Sequence, residues 1–379
     1  MFFQPLYGTV LAKYYVFKGN VVMNQISNIF AALAIFSLTA CDGVESLYER
    51  SQKSEHLVEE FANNYPALSI SIYRDDDIVW TYNHGFEDVE NKRPISENTR
   101  FNIYSTSKAL TGLAFARLID SGIVSLSGKV GEITPDVPII FHEIRLKDIL
   151  SHRSGIRHYA SPMDWLGFTS QTCENPSAAV AYFADDPLIV QPGTKESYSS
   201  FAFVLASEVL LRITGADNFK AALNETLGPW AHYELDSKAA AKAQPLIRAA
   251  ILPQMPEGLK PEDIIPMPPL SSECKFGAGG LIVSSKELAR AGAALYQGNI
   301  IAKDKMKDAF RPWFSASQVV YGAALNEEQG TWELSGGAPG GRSYLLVSIN
   351  DQVSIAIAGN IDGPNMRDIA HALLDLWRP

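Results

Sequence analysis

Ser105 and Lys108, three residues apart, are the pair in this sequence whose types and spacing could do covalent chemistry. They stand in the run Phe101-Asn-Ile-Tyr-Ser-Thr-Ser-Lys-Ala-Leu-Thr-Gly. Residues i and i+3 share a helix face, so the lysine amine can lie beside the serine hydroxyl. A partly buried lysine next to other donors can lose its proton and take the hydroxyl proton instead, which makes the serine a nucleophile. Leu110, Leu113, Ala114 and Leu118 recur at helical spacing and Gly122 is a natural stop, so a helix is expected over 108–122 with Ser105 at its start. The free N–H groups and positive dipole end of such a start favour developing negative charge. The bare spacing is common by chance. A second copy, Ser272 with Lys275, follows a proline run and opens no helix.

Two further segments bear on the same chemistry. Gln191-Pro-Gly-Thr-Lys-Glu-Ser-Tyr-Ser-Ser runs from a turn into an apolar helix expected over Phe201 to Ile213, and so delivers Tyr198 and Ser200 to a helix mouth. Trp332-Glu-Leu-Ser-Gly-Gly-Ala-Pro-Gly-Gly precedes two strand-like runs, Arg342 to Ile349 and Val353 to Ala358, joined by a turn at Asn350-Asp351. Glycines beside a strand allow close backbone approach to a ligand. Taken singly, Tyr198 also reads as an aromatic cap on the core, and the glycine run as an ordinary hairpin end.

The order and spacing of the three segments resemble the serine β-lactamase-related family, which contains class C β-lactamases, D-alanyl-D-alanine peptidases and related esterases. Leu150-Ser-His-Arg-Ser-Gly-Ile resembles the family's Leu-Thr-His-Thr-Ser-Gly-Leu segment. Gln191-Pro-Gly-Thr resembles the approach to its Tyr-x-Asn motif, and Gly277-Ala-Gly-Gly-Leu-Ile-Val-Ser-Ser-Lys-Glu-Leu-Ala-Arg resembles the segment before its third motif. Ser154-Gly-Ile-Arg-His-Tyr is similar to the mitochondrial branch of the family. The resemblance covers about residues 56–379. It implies an acylating nucleophile at Ser105, a proton partner at Lys108, and a second acid/base group at Tyr198. It further implies an oxyanion hole from the backbone N–H groups of Ser105 and Gly337, with Ser200, Ser335 and Gly336 as substrate contacts. No cofactor or metal is implied. His142, His152 and His158 are too scattered for ligand spacing, and His152 is read as fixing a loop by hydrogen bonding.

The departures from the family pattern constrain the substrate. Ser200 stands where the family has asparagine, and a hydroxyl offers less than an amide's donor and acceptor together. Leu334 stands where the third motif begins with lysine or histidine. A tyrosine of pKa ~10 needs nearby positive charge to act as a base at neutral pH, and Leu334 supplies none. Arg342 is a candidate carboxylate clamp in its place, against the plainer reading of a solvated surface arginine. These changes argue against an efficient β-lactamase and leave ester, amide and peptide hydrolysis open.

The front of the chain bears on compartment. Ile29 to Leu38 is an apolar run too short to span a bilayer. It ends in Leu38-Thr39-Ala40-Cys41, which resembles a bacterial lipobox with Cys41 lipidated. Residues 1–40 are thus expected to be a signal segment, with Met23 an alternative start, although 23–30 lack the usual lysine or arginine. Asp42 resembles a signal for inner-membrane retention. Residues 41–55 are read as a polar tether. The formal charge of −10 disfavours nucleic acid and anionic membrane surfaces as partners, leaving a small-molecule or peptide substrate and a membrane contact through the lipid alone. With Cys41 lipidated, Cys173 and Cys274 remain. In an oxidising compartment they either bridge or stay as two buried thiols.

The hydrophobic content of 46% suits one large core. A helix at 56–64, a hairpin over Leu68–Tyr73 and Ile78–Tyr82 turning at Asp75-Asp76-Asp77, a helical, loop-rich stretch and a closing helix at Met366 to Trp377 give an α/β (α+β) fold. In β-lactamase/transpeptidase terms this is an antiparallel sheet flanked by helices (56–122 and 276–379) with an inserted helical part (123–275) and the site in the cleft between them. The expected activity is serine hydrolysis through an acyl-enzyme. Its rival is a binding protein that acylates slowly or not at all. A class C-like β-lactamase or a D-alanyl-D-alanine carboxypeptidase is the alternative enzyme.

Overall fold

Alternation dictates the centre of the sheet. In the strand Ala67–Arg74 (β1), Leu68, Ile70 and Ile72 point to one face, while Ser69 and Ser71 point to the other. The second face is also covered, so both hydroxyls need partners, and both bond to Ser285 Oγ, at 2.7 and 2.8 Å. In a computed structural model that describes residues 46–228, 243–248, 264–267, 273–315 and 317–379, β1 sits inside an eight-stranded antiparallel sheet. The other strands are Asp77–Asp88 (β2), Arg93–Pro94 (β3), Val319–Val320 (β4), Ala323–Asn326 (β5), Thr331–Ala338 (β6), Gly341–Ser348 (β7) and Val353–Gly359 (β8). Their order is β3-β2-β1-β8-β7-β6-β5-β4, so chain ends meet at the β1–β8 pair, in the register Ile70 with Ile357.

One face of the sheet carries the first and last helices, Leu47–Ala62 (α1) and Arg367–Trp377 (α5). Ile369, Ala370, Leu373, Leu374 and Trp377 form the inward stripe of α5, and the Trp377 indole donates to Ser54 Oγ at 2.9 Å. Ser54, Val58 and Ala62, four residues apart, form the matching stripe of α1. This corrects the tether read at 41–55 and the helix start at 56. Residues 47–55 are helical, and a sequence of mostly polar residues hid a stripe only one residue wide. Cys41 and the signal segment lie outside the described residues.

The other face packs on Ser285–Tyr296 (α4) and on the larger core, which also holds the helices Ser107–Asp120 (α2) and Ser200–Thr214 (α3). Short helices fill 130–183, and residues 47–379 form one compact unit. Cys173 and Cys274 are joined by a disulfide with their Cα atoms 5.1 Å apart, so of the two readings the bridge is the one the structure contains. It pins the segment Glu273–Ala278 to the loop after the helix Pro162–Thr169.

Candidate active site

Ser105 is presented by a strained turn. Tyr104, just before it, has φ of 45°, a left-handed conformation rare for any side chain other than glycine. The surroundings hold it there. Its ring is buried, and its hydroxyl donates to the Pro339 carbonyl at 3.1 Å. The preceding Ile103 carbonyl accepts from Ser343 Oγ at 2.6 Å. Ser105 then lies in a 3-10 turn, Tyr104–Thr106, that runs directly into α2 at Ser107. The helix thus begins two residues after the serine, a small shift from the expected start.

Gly336 makes this geometry possible. A β-carbon there would sit 2.1 Å from the Ile103 carbonyl oxygen and 2.9 Å from the Thr106 nitrogen. Only glycine lets β6 press against the turn, and the next residue, Gly337, thereby borders the same cleft as Ser105. Gly336 is buried, so its place in the structure is in packing rather than on substrate. Ser335 is exposed beside it.

Around Ser105 the three expected groups converge. Tyr198 donates to Ser105 Oγ at 2.7 Å, and Lys108 Nζ lies 3.3 Å from the same atom. Lys108 is fully buried, and it also donates to Ser200 Oγ at 3.2 Å and to the Ala278 carbonyl at 2.5 Å. Burial lowers its pKa, against the partial opposition of Tyr198. Burial acts to raise the Tyr198 pKa, but the Lys108 charge and hydrogen bonds with Lys108, Ser105 and Ser200 outweigh it, and the net shift is down. Both groups are shifted down from their ordinary values and both hydrogen-bond the serine hydroxyl, which suits proton transfer there.

Second-layer contacts fix Tyr198. Its ring packs on His152 and His158, with centroids 4.5 and 5.1 Å away. His152 does hold a loop: its carbonyl accepts from the Ser197 N–H at 2.7 Å and its Nδ1 from the Ser199 N–H at 3.4 Å. Burial and the neighbouring charges of Lys108 and His158 push its pKa down to about 3, and similar causes take His158 to about 4, so both rings are neutral at pH 7. Ser199 caps α3 by accepting from the Ala202 N–H at 3.0 Å, which aims Tyr198 and Ser200 at Lys108.

The departures are also placed. Leu334 is half-buried and packs against the larger core. Arg342 is committed to Asp362, with Nε 3.2 Å from the carboxylate, and its guanidinium lies beside Gly337, 3.8 Å from where a β-carbon on that glycine would stand. It is half-buried and ion-paired, which matches neither a free clamp nor a solvated surface arginine. A cation does line the cleft, and it comes from an unexpected place. Lys275, set aside above with Ser272, is 5% exposed in the wall of a cavity of about 530 Å³ shared with Ser105, Ser200 and Gly337. The signal that might have found it is a lone lysine inside Cys274-Lys-Phe-Gly-Ala-Gly-Gly, immediately before the glycine segment. Ser272 lies outside the described residues.

This sheet, its flanking helices and a serine–lysine pair at a helix start define a β-lactamase/transpeptidase-like fold. The chain belongs to the Beta-lactamase family, whose model matches residues 54–376. It is 24% identical over 221 residues to the mitochondrial serine beta-lactamase-like protein LACTB of Bos taurus, covering 40% of each chain. It is 27% identical over 170 residues to protein flp of Staphylococcus aureus strain COL, covering 43% of this chain and 33% of that one. The chain thus spans two fifths or less of the length of these curated relatives. Among solved structures, it is similar to a penicillin binding protein from Bacillus halodurans (TM-score 0.70, 17% identity, 85% of this chain and 98% of that one). It is also similar to a D-amino acid amidase from Ochrobactrum anthropi SV3 (TM-score 0.69, 17% identity, 88% and 99%). Family membership supports a hydrolase in general.

Proposed function

We propose that this protein is a serine hydrolase that forms an acyl-enzyme on Ser105 and hydrolyses an ester, amide or peptide bond. The observation that carries the proposal is the placement of Ser105 Oγ between Lys108 Nζ at 3.3 Å and the Tyr198 hydroxyl at 2.7 Å. An ammonium at Lys108 donates to all three of its neighbours. A neutral amine keeps two N–H donors, which serve Ala278 and Ser200, and turns its lone pair to the Ser105 O–H. In that state Ser105 Oγ attacks the substrate carbonyl and its proton passes to Lys108. The oxyanion is held by the N–H groups of Ser105 and Gly337. Tyr198 protonates the leaving group as the ester or amide bond breaks. Water then attacks the acyl carbonyl and gives its proton to Tyr198, and the ester bond to Ser105 breaks as Lys108 returns the proton to Ser105 Oγ. Ser200 in place of asparagine and Leu334 in place of a cation point away from efficient β-lactam hydrolysis.

The reading extends to location: a lipoprotein tethered at Cys41 and facing the periplasm, on the inner membrane in view of Asp42. The Cys173–Cys274 disulfide suits an oxidising compartment.

Steady hydrolysis of p-nitrophenyl butyrate, lost by at least about 10³-fold in Ser105→Ala with an unchanged circular dichroism spectrum, is the expected result. Mass spectrometry should show the acyl group on Ser105. A burst that stops at one equivalent identifies the acylating sensor instead. Full activity in Ser105→Ala removes the assignment.

A further inference from the structure

Lys275 is buried, and among the described residues it has no counter-charge. Among the described residues no carboxylate pairs with it and no group hydrogen-bonds it. Its amine lies over the rings of Trp165, at 5.2 Å, and Tyr104, at 5.6 Å. Its exposure is 5%, and what remains open faces the cavity beside Ser105. An isolated ammonium in such a place is costly unless something pairs with it. The chain nonetheless invests in its position. The disulfide anchors the residue before it, and Gly277, two residues on, is clamped by Thr111 and Ser207 through hydrogen bonds of 3.0 and 3.1 Å. The remaining cavity walls are largely apolar, with Met163, Trp165 and Leu166 prominent.

We propose that Lys275 is a specificity-determining residue that receives an anionic group, such as a carboxylate, carried on an apolar arm of the substrate whose carbonyl is attacked by Ser105. The ring faces hold the ammonium by cation–π attraction, and a substrate carboxylate supplies it with a counter-charge. Lys108 cannot take that role, since its donors are already used by Ser105, Ser200 and Ala278. The titratable groups around Lys275 are Lys108 from α2, His158 from the loop after Ser154, and Tyr104. His158 and Tyr104 are neutral at pH 7, as burial lowers the first to about 4 and raises the second. Burial, and then the Lys108 charge, bring Lys275 down to about 7. Its ammonium is therefore present below that pH and lost above it, so anion preference should be strongest at pH 6 and fade by pH 8.5.

The inference rests on the proposed function for the identity of the cleft, and its test includes a measurement that needs no turnover. Calorimetry compares 4-phenylbutyrate with uncharged 4-phenylbutanol, using the whole protein and Lys275→Met. The wild type should bind the acid better by about 10- to 100-fold at pH 6, and Lys275→Met should bring the two ligands within about twofold. In parallel, the kcat/KM ratio of mono-p-nitrophenyl adipate to p-nitrophenyl hexanoate should fall by a similar factor in Lys275→Met. Lys275→Arg, which stays charged, should keep the preference at pH 8.5. Equal discrimination in wild type and Lys275→Met overturns the inference whatever the turnover. Discrimination without turnover sustains it and removes the acyl-enzyme reading alone.

Discussion

Two lysines are buried at this cleft, and the protein treats them in opposite ways. Lys108 sits under three oxygens, one of them the Ser105 hydroxyl, and burial lowers its pKa against the pull of Tyr198. Lys275 meets two ring faces and no oxygen among the described residues. Both feel burial, which lowers a lysine pKa, but the consequences diverge. The amine with partners can be deprotonated without leaving a void in its hydrogen bonding, which suits it to the base proposed above. The amine without partners is useful only as a charge that something else must meet. Burial alone does not assign a role to a lysine; the acceptors around it do.

The largest effect that would break this contrast concerns Lys108. Lys108→Met should lower kcat/KM by about 10³-fold or more on charged and neutral esters alike, because it removes the base and unmoors Ser105, Ser200 and the Ala278 carbonyl together. Its signature in the wild type is a pH profile. Since the Lys108 pKa is lowered, the unprotonated form accumulates as pH rises through a range below that of an ordinary lysine, and kcat/KM for a neutral ester should climb there. A flat profile from pH 5 to 9 would show that proton transfer to Lys108 is not part of the rate.

The next effect separates the lysines through the backbone. The disulfide ends at Cys274, one residue from Lys275, and closes a loop spanning 101 residues. Cys274→Ala should reduce stability by about 2–4 kcal/mol in urea unfolding, following the chain-entropy account of long loops. Because Lys108 is carried by α2 and meets this segment only at the Ala278 carbonyl, the same variant should lose anion preference before it loses turnover of a neutral ester. Loss of both in the same proportion would mean that the two lysines share one support.

How these residues were read in the sequence follows the same division. Ser105, Lys108 and Tyr198 were legible because local signals position them: a helix face, a helix start and a Pro-Gly turn before a capped helix. The hairpin and α5 were legible from alternation and helical periodicity. Lys275 was not, because nothing local distinguishes it. It acquires meaning only when the fold brings the Glu273–Ala278 segment, Trp165 and Tyr104 to one wall. The start of α1 at Leu47 was missed for a related reason, since its single stripe, Ser54, Val58 and Ala62, is completed by Trp377 from the far end of the chain. Arg342 offered a clamp only as the lesser of two readings, and nothing local in the sequence marks its partner Asp362, twenty residues on.

A smaller effect tests whether the lysines feel each other. Lys108 contributes, after burial, to the depression of Lys275. Removing that charge in Lys108→Met should therefore raise the Lys275 pKa above about 7, while burial keeps it below the ordinary value. The pH at which 4-phenylbutyrate binding fades would move up accordingly, and binding can be followed in this variant although turnover is lost. An unmoved midpoint would mean that the two charges are screened from one another.

The smallest effect concerns the missing third-motif cation. Leu334 is half-buried against the larger core, so a lysine placed there must leave its stem on apolar surface and carry its amine outward. It would add positive charge to a cleft already supplied by Lys275, and like charges side by side lower each other's proton affinity. Leu334→Lys should thus change kcat/KM for mono-p-nitrophenyl adipate by no more than about fivefold, in line with a solvent-exposed pair, and added salt should erase the change. A gain of about a hundredfold that survives salt would show residue 334 reaching a desolvated substrate charge. In that case the family's usual cation and Lys275 would be interchangeable, and the contrast between the two buried lysines would no longer describe how this cleft recognises charge.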